Sequence, residues 1–201
     1  MNIIGITGNS GSGKSTVSKM INENYNAKII DADRIAKEMA KNNSEYLQAI
    51  RQTFGEDIVK NNELDRKRLA DIVFSNKTEK EKLDSLTFEY VVKEIKSELE
   101  ANQKLNYEYI ILDVPLLFES KLDEMCDYII GVIAPKTEKI KRICKRDNLS
   151  EEKALQRLNN QENDEFYIKK CDFIIENVDN EKTAKRVNEI ILKLQYCEDI
   201  I

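Results

Sequence analysis

Short apolar runs alternate along the chain with longer stretches in which apolar residues recur every three or four positions. The runs Asn2–Thr7, Lys28–Asp31, Tyr109–Val114, Tyr128–Ile133 and Phe173–Glu176 predict strands. Their alternation with helical patterns is the signature of a parallel sheet covered by helices. The first helix starts on a glycine-rich segment, with Val17, Met20 and Ile21 on its inner face. Between Asp33 and Gln103 there is no strong strand signal. Ile50 and Phe54, then Leu69, Ile72 and Val73, then Leu83, Leu86 and Tyr90 carry a helical pattern instead. That stretch is too long for a simple crossover and predicts a helical insertion. A second helical region, Lys136–Lys170, is rich in Lys and Arg and suits a mobile cover. The final helix, about Asn180–Gln195, places Val187, Ile190, Ile191 and Leu194 on one face for the core. Pro115 and Pro135 both follow apolar strands, where turns are expected.

The chemistry begins where the first strand ends. Gly8-Asn9-Ser10-Gly11-Ser12-Gly13-Lys14-Ser15 matches G-x-x-x-x-G-K-[ST], with a strand before it and a helix after it. Gly8, Gly11 and Gly13 permit backbone angles and close approaches that a side chain would block. The loop then aims its N–H groups at one place, and the helix that starts there adds partial positive charge. Lys14 supplies a point charge to the β and γ phosphates of a nucleoside triphosphate, Ser15 a hydroxyl to Mg²⁺, and Thr16 a donor at the α phosphate.

Two further strands end in acids. Ile29-Ile30-Asp31-Ala32-Asp33 runs into two carboxylates, which an extended backbone would aim to the same side. One of them is then free to help hold the metal while the other takes a proton from an attacking hydroxyl. Equally, Asp33 can cap a helix starting at Arg34. Tyr109-Ile110-Ile111-Leu112-Asp113 supplies a second metal-side acid, and Glu119 is a loop acid on the substrate side. Arg142 and Arg146 lie one helical turn apart, away from the apolar face of Ile140, Ile143 and Cys144. Like charges at that spacing repel unless an anion lies between them, which a triphosphate would supply. The plainer alternative is a solvated face with Glu138 paired to Arg142. Arg157 is open to the same two readings.

Composition narrows the classes. A chain of 201 residues, 41% hydrophobic and 34% charged, fits one globular domain with an insertion. The net charge of -5 argues against a broad nucleic-acid footprint. The apolar start Ile3-Ile4-Gly5-Ile6 is too short for a signal or membrane segment. Cys126, Cys144, Cys171 and Cys197 are scattered and there is no histidine, so a zinc site lacks a ligand set and the cytoplasm is the expected location. Without histidine, a general base near neutral pH must be a carboxylate, a cysteine or a lysine.

Taken together, these segments resemble the dephospho-CoA kinase family over nearly the whole chain. The resemblance is carried by Thr7–Thr16, Asp31-Ala32-Asp33, Leu64-Asp65-Arg66 with Leu69 and Val73-Phe74, and Asp113-Val114-Pro115-Leu116-Leu117-Phe118-Glu119. It continues through Arg142, Arg146-Asp147, Ala154, Arg157 and Gln161 to Asp172–Asn177. It implies an α/β fold of the P-loop NTPase type: a parallel five-stranded sheet flanked by helices, with a core over about 1–33, 105–135 and 171–201, a helical substrate insertion over about 34–104 and a lid over about 136–170. It implies ATP and Mg²⁺, with dephospho-CoA as acceptor; no membrane partner is expected, and a monomer is favoured. Asp33 becomes the base for the ribose 3′-hydroxyl, while Lys14 and Arg142 stabilise the transferring phosphoryl group. The nucleotide falls to Gly8, Gly11, Ser12, Gly13, Lys14, Ser15, Thr16, Arg146 and Asn177, the last near adenine. The metal falls to Ser15, with Asp31 or Asp113 acting through water. Two positions depart from the family: Thr87-Phe88-Glu89 stands where a His-Pro pair is usual, and Lys139 where a lid glutamine is frequent.

Two other classes share the loop. A nucleoside monophosphate kinase does not account for Asp113-Val114-Pro115-Leu116-Leu117-Phe118-Glu119. A GTP-driven switch usually carries N-K-x-D and D-x-x-G, whereas Asn76-Lys77-Thr78-Glu79 ends in the wrong acid and Leu116 stands three residues after Asp113.

Overall fold

The computed structural model describes residues 1–60, 63–102 and 104–198, with backbone only at 60, 74, 75 and 196–198, so the side chains of Phe74 and Cys197 lie outside the described residues. In chain order the elements are β1 (Asn2–Thr7), α1 (Lys14–Asn24), β2 (Ala27–Asp31), α2 (Ala32–Asn42), α3 (Ser44–Phe54), β3 (Val59–Lys60), β4 (Glu63–Leu64), α4 (Arg66–Ser75) and α5 (Lys77–Asn102). There follow β5 (Tyr109–Asp113), β6 (Tyr128–Ile133), α6 (Lys136–Asp147), α7 (Glu151–Asn159), α8 (Asp164–Lys170), β7 (Phe173–Glu176) and α9 (Asn180–Glu198). The chain forms two compact units, Met1–Ile30 with Leu105–Ile201, and Asp31–Lys104.

The first unit is built on a five-stranded sheet of order β2-β5-β1-β6-β7. β1 runs parallel to β5, with Ile6 beside Asp113, and parallel to β6, with Thr7 beside Gly131. The five predicted strands all form, with shifts of one residue at the start of β2 and the end of β5. Two carboxylates fasten the starting edge of the sheet: Asp127 accepts from the N–H of Ile3 at 2.7 Å, and Asp172 from that of Ile129 at 2.7 Å. One face is sealed by α1 and α9. Ile4, Ile6, Ile111, Ile130, Val132 and Ile175 from the strands meet Val17 and Ile21 from α1 and Val187, Ile190, Ile191 and Leu194 from α9. Burial of each such side chain stabilises the fold by roughly 1.5–3 kcal/mol.

Helices α6, α7 and α8 belong to this same unit. Ile143, Ala154 and Leu158 form a small core of their own, with Ile140, Cys144 and Leu149 packed against it. The apolar face of α6 is thus the one its sequence marks. Ser150 caps α7 and Asn163 caps α8, each accepting from the N–H three residues on. In addition, Phe166 of α8 stands edge-on to Phe118 of the β5–β6 connection, with ring centroids 5.4 Å apart.

The second unit is mostly helical, as its pattern predicts. Ile35 and Met39 of α2, Leu47 and Ile50 of α3 and Ile95 and Leu99 of α5 supply buried apolar positions. Arg34 ties α2 to α5 by donating to both oxygens of Glu98, at 2.9 and 3.1 Å. Tyr46 meets Tyr90 edge-on and exchanges a 2.9 Å hydrogen bond with Thr87. The stretch also holds a pairing that its pattern does not mark: β3 and β4 are antiparallel, Val59 beside Leu64 and Lys60 beside Glu63. Two residues per strand are too few to leave an alternating pattern.

Candidate active site

β1 delivers the chain into the glycine-rich loop, and the loop turns directly into α1. Gly8, Gly11 and Gly13 have φ of 140°, 75° and 99°, where residues with a Cβ are strained. Gly13 needs glycine for a second reason: a Cβ there would lie 1.8 Å from Asn177 Nδ2. Helices α2, α3, α4, α7 and α8 begin on a side-chain cap, but α1 begins on Gly13 with none. Within that first turn Thr16 N–H closes on Gly13 O at 3.0 Å, and a helix start without a side-chain cap is the kind of place that suits an anion. Ser15 and Thr16 are exposed on that first turn. Inside the loop, Ser12 Oγ and Asn9 Oδ1 are buried without a hydrogen-bond partner.

Lys14 folds back over the loop, its Nζ donating to the carbonyls of Gly8 at 2.8 Å and Asn9 at 3.2 Å. Arg142 reaches the loop from α6. Its Nη1 donates to Gly11 O at 3.2 Å and Ser12 O at 3.1 Å, and its Nη2 to Asn177 O at 2.9 Å. Asn177 lies at the end of β7, 3% exposed, where Nδ2 donates to Ser12 O at 2.8 Å and Oδ1 accepts from Thr183 at 3.2 Å. Arg142, Asn177, Lys14 and the three glycines therefore form one assembly. Arg142 is half-buried against the loop rather than part of a solvated face. The pairing of Glu138 with Arg142 is not formed, because Lys141 takes Glu138 at 2.8 Å.

Arg146 pairs along its own helix. It is exposed, and with Arg157 it grips Asp147, whose carboxyl is held far below the usual carboxylate range, Arg146 first and Arg157 after it. Gln161, which enters the sequence reading only through the family resemblance, lies in the loop between α7 and α8, and this loop touches the glycine-rich one: Asn9 Nδ2 donates to Glu162 O at 2.7 Å and Ser10 N–H to Gln161 Oε1 at 2.9 Å. Amide, hydroxyl and backbone groups that meet across 150 positions leave no periodic or charge signal in a sequence. Lys139, at the departing position, is 6% exposed and donates to Asp164 at 2.7 Å.

The acids separate. Asp113, 5% exposed at the end of β5, accepts at 3.0 Å from Ser18 Oγ, one turn beyond Ser15 on α1. Asp31 and Asp33 are not aimed together from an extended backbone, because the helix begins at Ala32, earlier than the Arg34 expected. Asp31 is the cap, accepting from Arg34 N at 3.0 Å, so the capping role considered for Asp33 is taken by its neighbour. Asp33 stands in the first turn of α2 with an exposed side chain. Burial pushes the thiols of Cys126 and Cys171 up to about 12, which removes both from the possible bases. Glu119 is exposed after the Pro115 turn.

A parallel sheet with a glycine-rich loop at the carboxyl end of its central strand, a lysine in that loop and an α6 arginine bonded to it is the build of a P-loop kinase. The dephospho-CoA kinase family model matches residues 2–183, and the chain belongs to that family. A dephospho-CoA kinase of Fusobacterium nucleatum is 42% identical over 200 residues, covering 98% of each chain. Among solved structures, a Thermus thermophilus protein superposes with a TM-score of 0.77 at 31% identity, covering 96% of each chain. The dephospho-CoA kinase of Campylobacter jejuni gives 0.70 at 31% identity over 98% of each.

Proposed function

We propose that this chain transfers the γ-phosphoryl group of ATP to the ribose 3′-hydroxyl of dephospho-CoA, giving coenzyme A and ADP, the last step of coenzyme A biosynthesis. The observation that carries the reading is the loop assembly, in which Lys14 and Arg142 both donate to carbonyls of the glycine-rich loop that opens α1. The acceptor rests on family membership.

Phosphoryl transfer requires little covalent work from a protein, so catalysis is positioning and electrostatics. The first turn of α1 holds the phosphates with its N–H groups. Lys14 and Arg142 exchange loop carbonyls for phosphoryl oxygens and stabilise their charge. Asp33 takes the proton of the 3′-hydroxyl; of Asp31, Asp33 and Asp113 it is the one that neither caps a helix nor is buried. Asn177, beside the loop, lies on the adenine side, and Arg146 completes the nucleotide contacts. Mg²⁺ fits the residues present: Ser15 has an exposed hydroxyl, and Asp113 lies one turn away through Ser18. Ser15 would hold the ion, with Asp113 or Asp31 through water, and the ion would neutralise charge on the β and γ phosphates.

Helices 136–170 act as the lid and residues 34–104 as the acceptor-binding insertion. The enzyme works as a cytoplasmic monomer without nucleic-acid or membrane partner. Among the described residues no helix is long and apolar enough to cross a membrane. The test is ADP release with dephospho-CoA, adenosine monophosphate, cytidine monophosphate or no acceptor. Stimulation by dephospho-CoA alone is expected, and no stimulation above the acceptor-free rate overturns the assignment.

A further inference from the structure

We propose that Gln161 is a positioning residue, which holds the phosphate loop in its nucleotide-receiving shape without touching the nucleotide. Its amide meets Ser10 twice: Oε1 accepts from the Ser10 N–H at 2.9 Å, and Nε2 donates to Ser10 Oγ at 3.3 Å. The next residue adds a third bond, Glu162 O accepting from Asn9 Nδ2 at 2.7 Å. These contacts sort the loop's N–H groups. That of Ser10 is drawn outward to Gln161, that of Ser12 turns back to Asn9 O at 3.2 Å, and that of Thr16 closes on Gly13 O at 3.0 Å. The phosphate cradle is thereby left to the glycines and the start of α1.

The segment that makes these bonds is itself fixed at both ends. Gln161 N–H closes the end of α7 on Leu158 O at 3.1 Å, and Asn163 caps α8 through Phe166 N at 2.9 Å. One residue further, Asp164 is bound to the buried Lys139 of α6. The backbone of Lys139 lies against the other side of the loop, where a Cβ on Gly11 would come within 2.6 Å of its carbonyl oxygen. The loop is thus held between α6, which bonds it through Arg142, and the α7–α8 connection, which bonds it through Gln161 and Glu162.

The residue type fits the task. An amide presents an acceptor to an N–H and a donor to a hydroxyl together. A carboxylate in the same place would set negative charge beside the phosphates, and a lysine could not accept the N–H at all.

The inference rests on the reading that ATP binds at this loop, and the test separates the two. ATP affinity by calorimetry, KM for ATP and for dephospho-CoA, and Tm are measured for the wild type, Gln161→Ala and Gln161→Met, the last keeping side-chain length without the amide. Both variants are expected to bind ATP about tenfold more weakly, a loss of about 1.4 kcal/mol that two hydrogen bonds can supply. KM for dephospho-CoA stays unchanged, and Tm stays within about 3 °C of the wild type. Wild-type ATP affinity in both variants overturns the inference. So does a loss of affinity that disappears at a temperature where the variants are fully folded. A wild-type chain that binds no ATP overturns the functional reading and the role of Gln161 with it.

Discussion

Asp31 and Asp33 differ by two positions and by one hydrogen bond. Asp31 accepts from Arg34 N and starts α2, whereas Asp33 presents an exposed carboxylate from the first turn. The two substitutions should therefore fail in different ways. Asp31→Ala removes a cap and should lower stability by about 1 kcal/mol, read as a fall in Tm. Asp33→Asn should leave Tm and ATP affinity in place while kcat drops by roughly 10²–10⁴, the range of a lost general base. A kcat within a few-fold of wild type would remove Asp33 from the chemistry. The sequence shows both acids but not which one caps, because a helix start that moves from Arg34 to Ala32 exchanges their roles. Arg142 poses the same difficulty. Its i, i+4 relation to Arg146 is visible along one helix, but its bonds to Gly11, Ser12 and Asn177 depend on where α6 docks. Glycine positions, by contrast, are legible from the start, since φ of 75° to 140° admits little else.

Among the elements, the strands of the sheet are read almost to the residue, because each is a continuous apolar run bounded by polar or turn residues. The pairing of β3 and β4 is not, since two residues per strand leave no pattern. Lys139 is another element-scale feature that residue type conceals: a lysine on a basic helix reads as surface, yet it is buried between α6 and α8. Its ammonium keeps Asp164 as ion-pair partner, so Asp164→Ala strands a buried cation. The expected loss is about 2–3 kcal/mol, below the roughly 3–5 kcal/mol of a fully buried pair because Asp164 is partly solvated. Lys139→Met, which removes the charge and keeps the volume, should cost about 1 kcal/mol or less. Denaturant titration of both variants checks the order; equal losses would show that packing, and not charge, sets the α6–α8 contact.

For the molecule as a whole, the alternation of strands and helices was enough to expect a parallel sheet, and the order β2-β5-β1-β6-β7 places the phosphate loop on its central strand. The phosphate loop was legible because its chemistry is local, eight consecutive residues between a strand and a helix. What holds that loop was not, since Gln161, Glu162 and Asn177 reach it from 150 residues or more away. The acceptor stands apart from both: it follows from the family to which the chain belongs, and the loop, Lys14 and Arg142 would serve other acceptors as well. The measurement that bears most directly on it is phosphorus NMR of the product formed from ATP and dephospho-CoA. A new monoester resonance assigned to the ribose 3′ position, growing with ADP, is the predicted result. Phosphate released only as the inorganic ion, or attached at any other hydroxyl, would contradict the account.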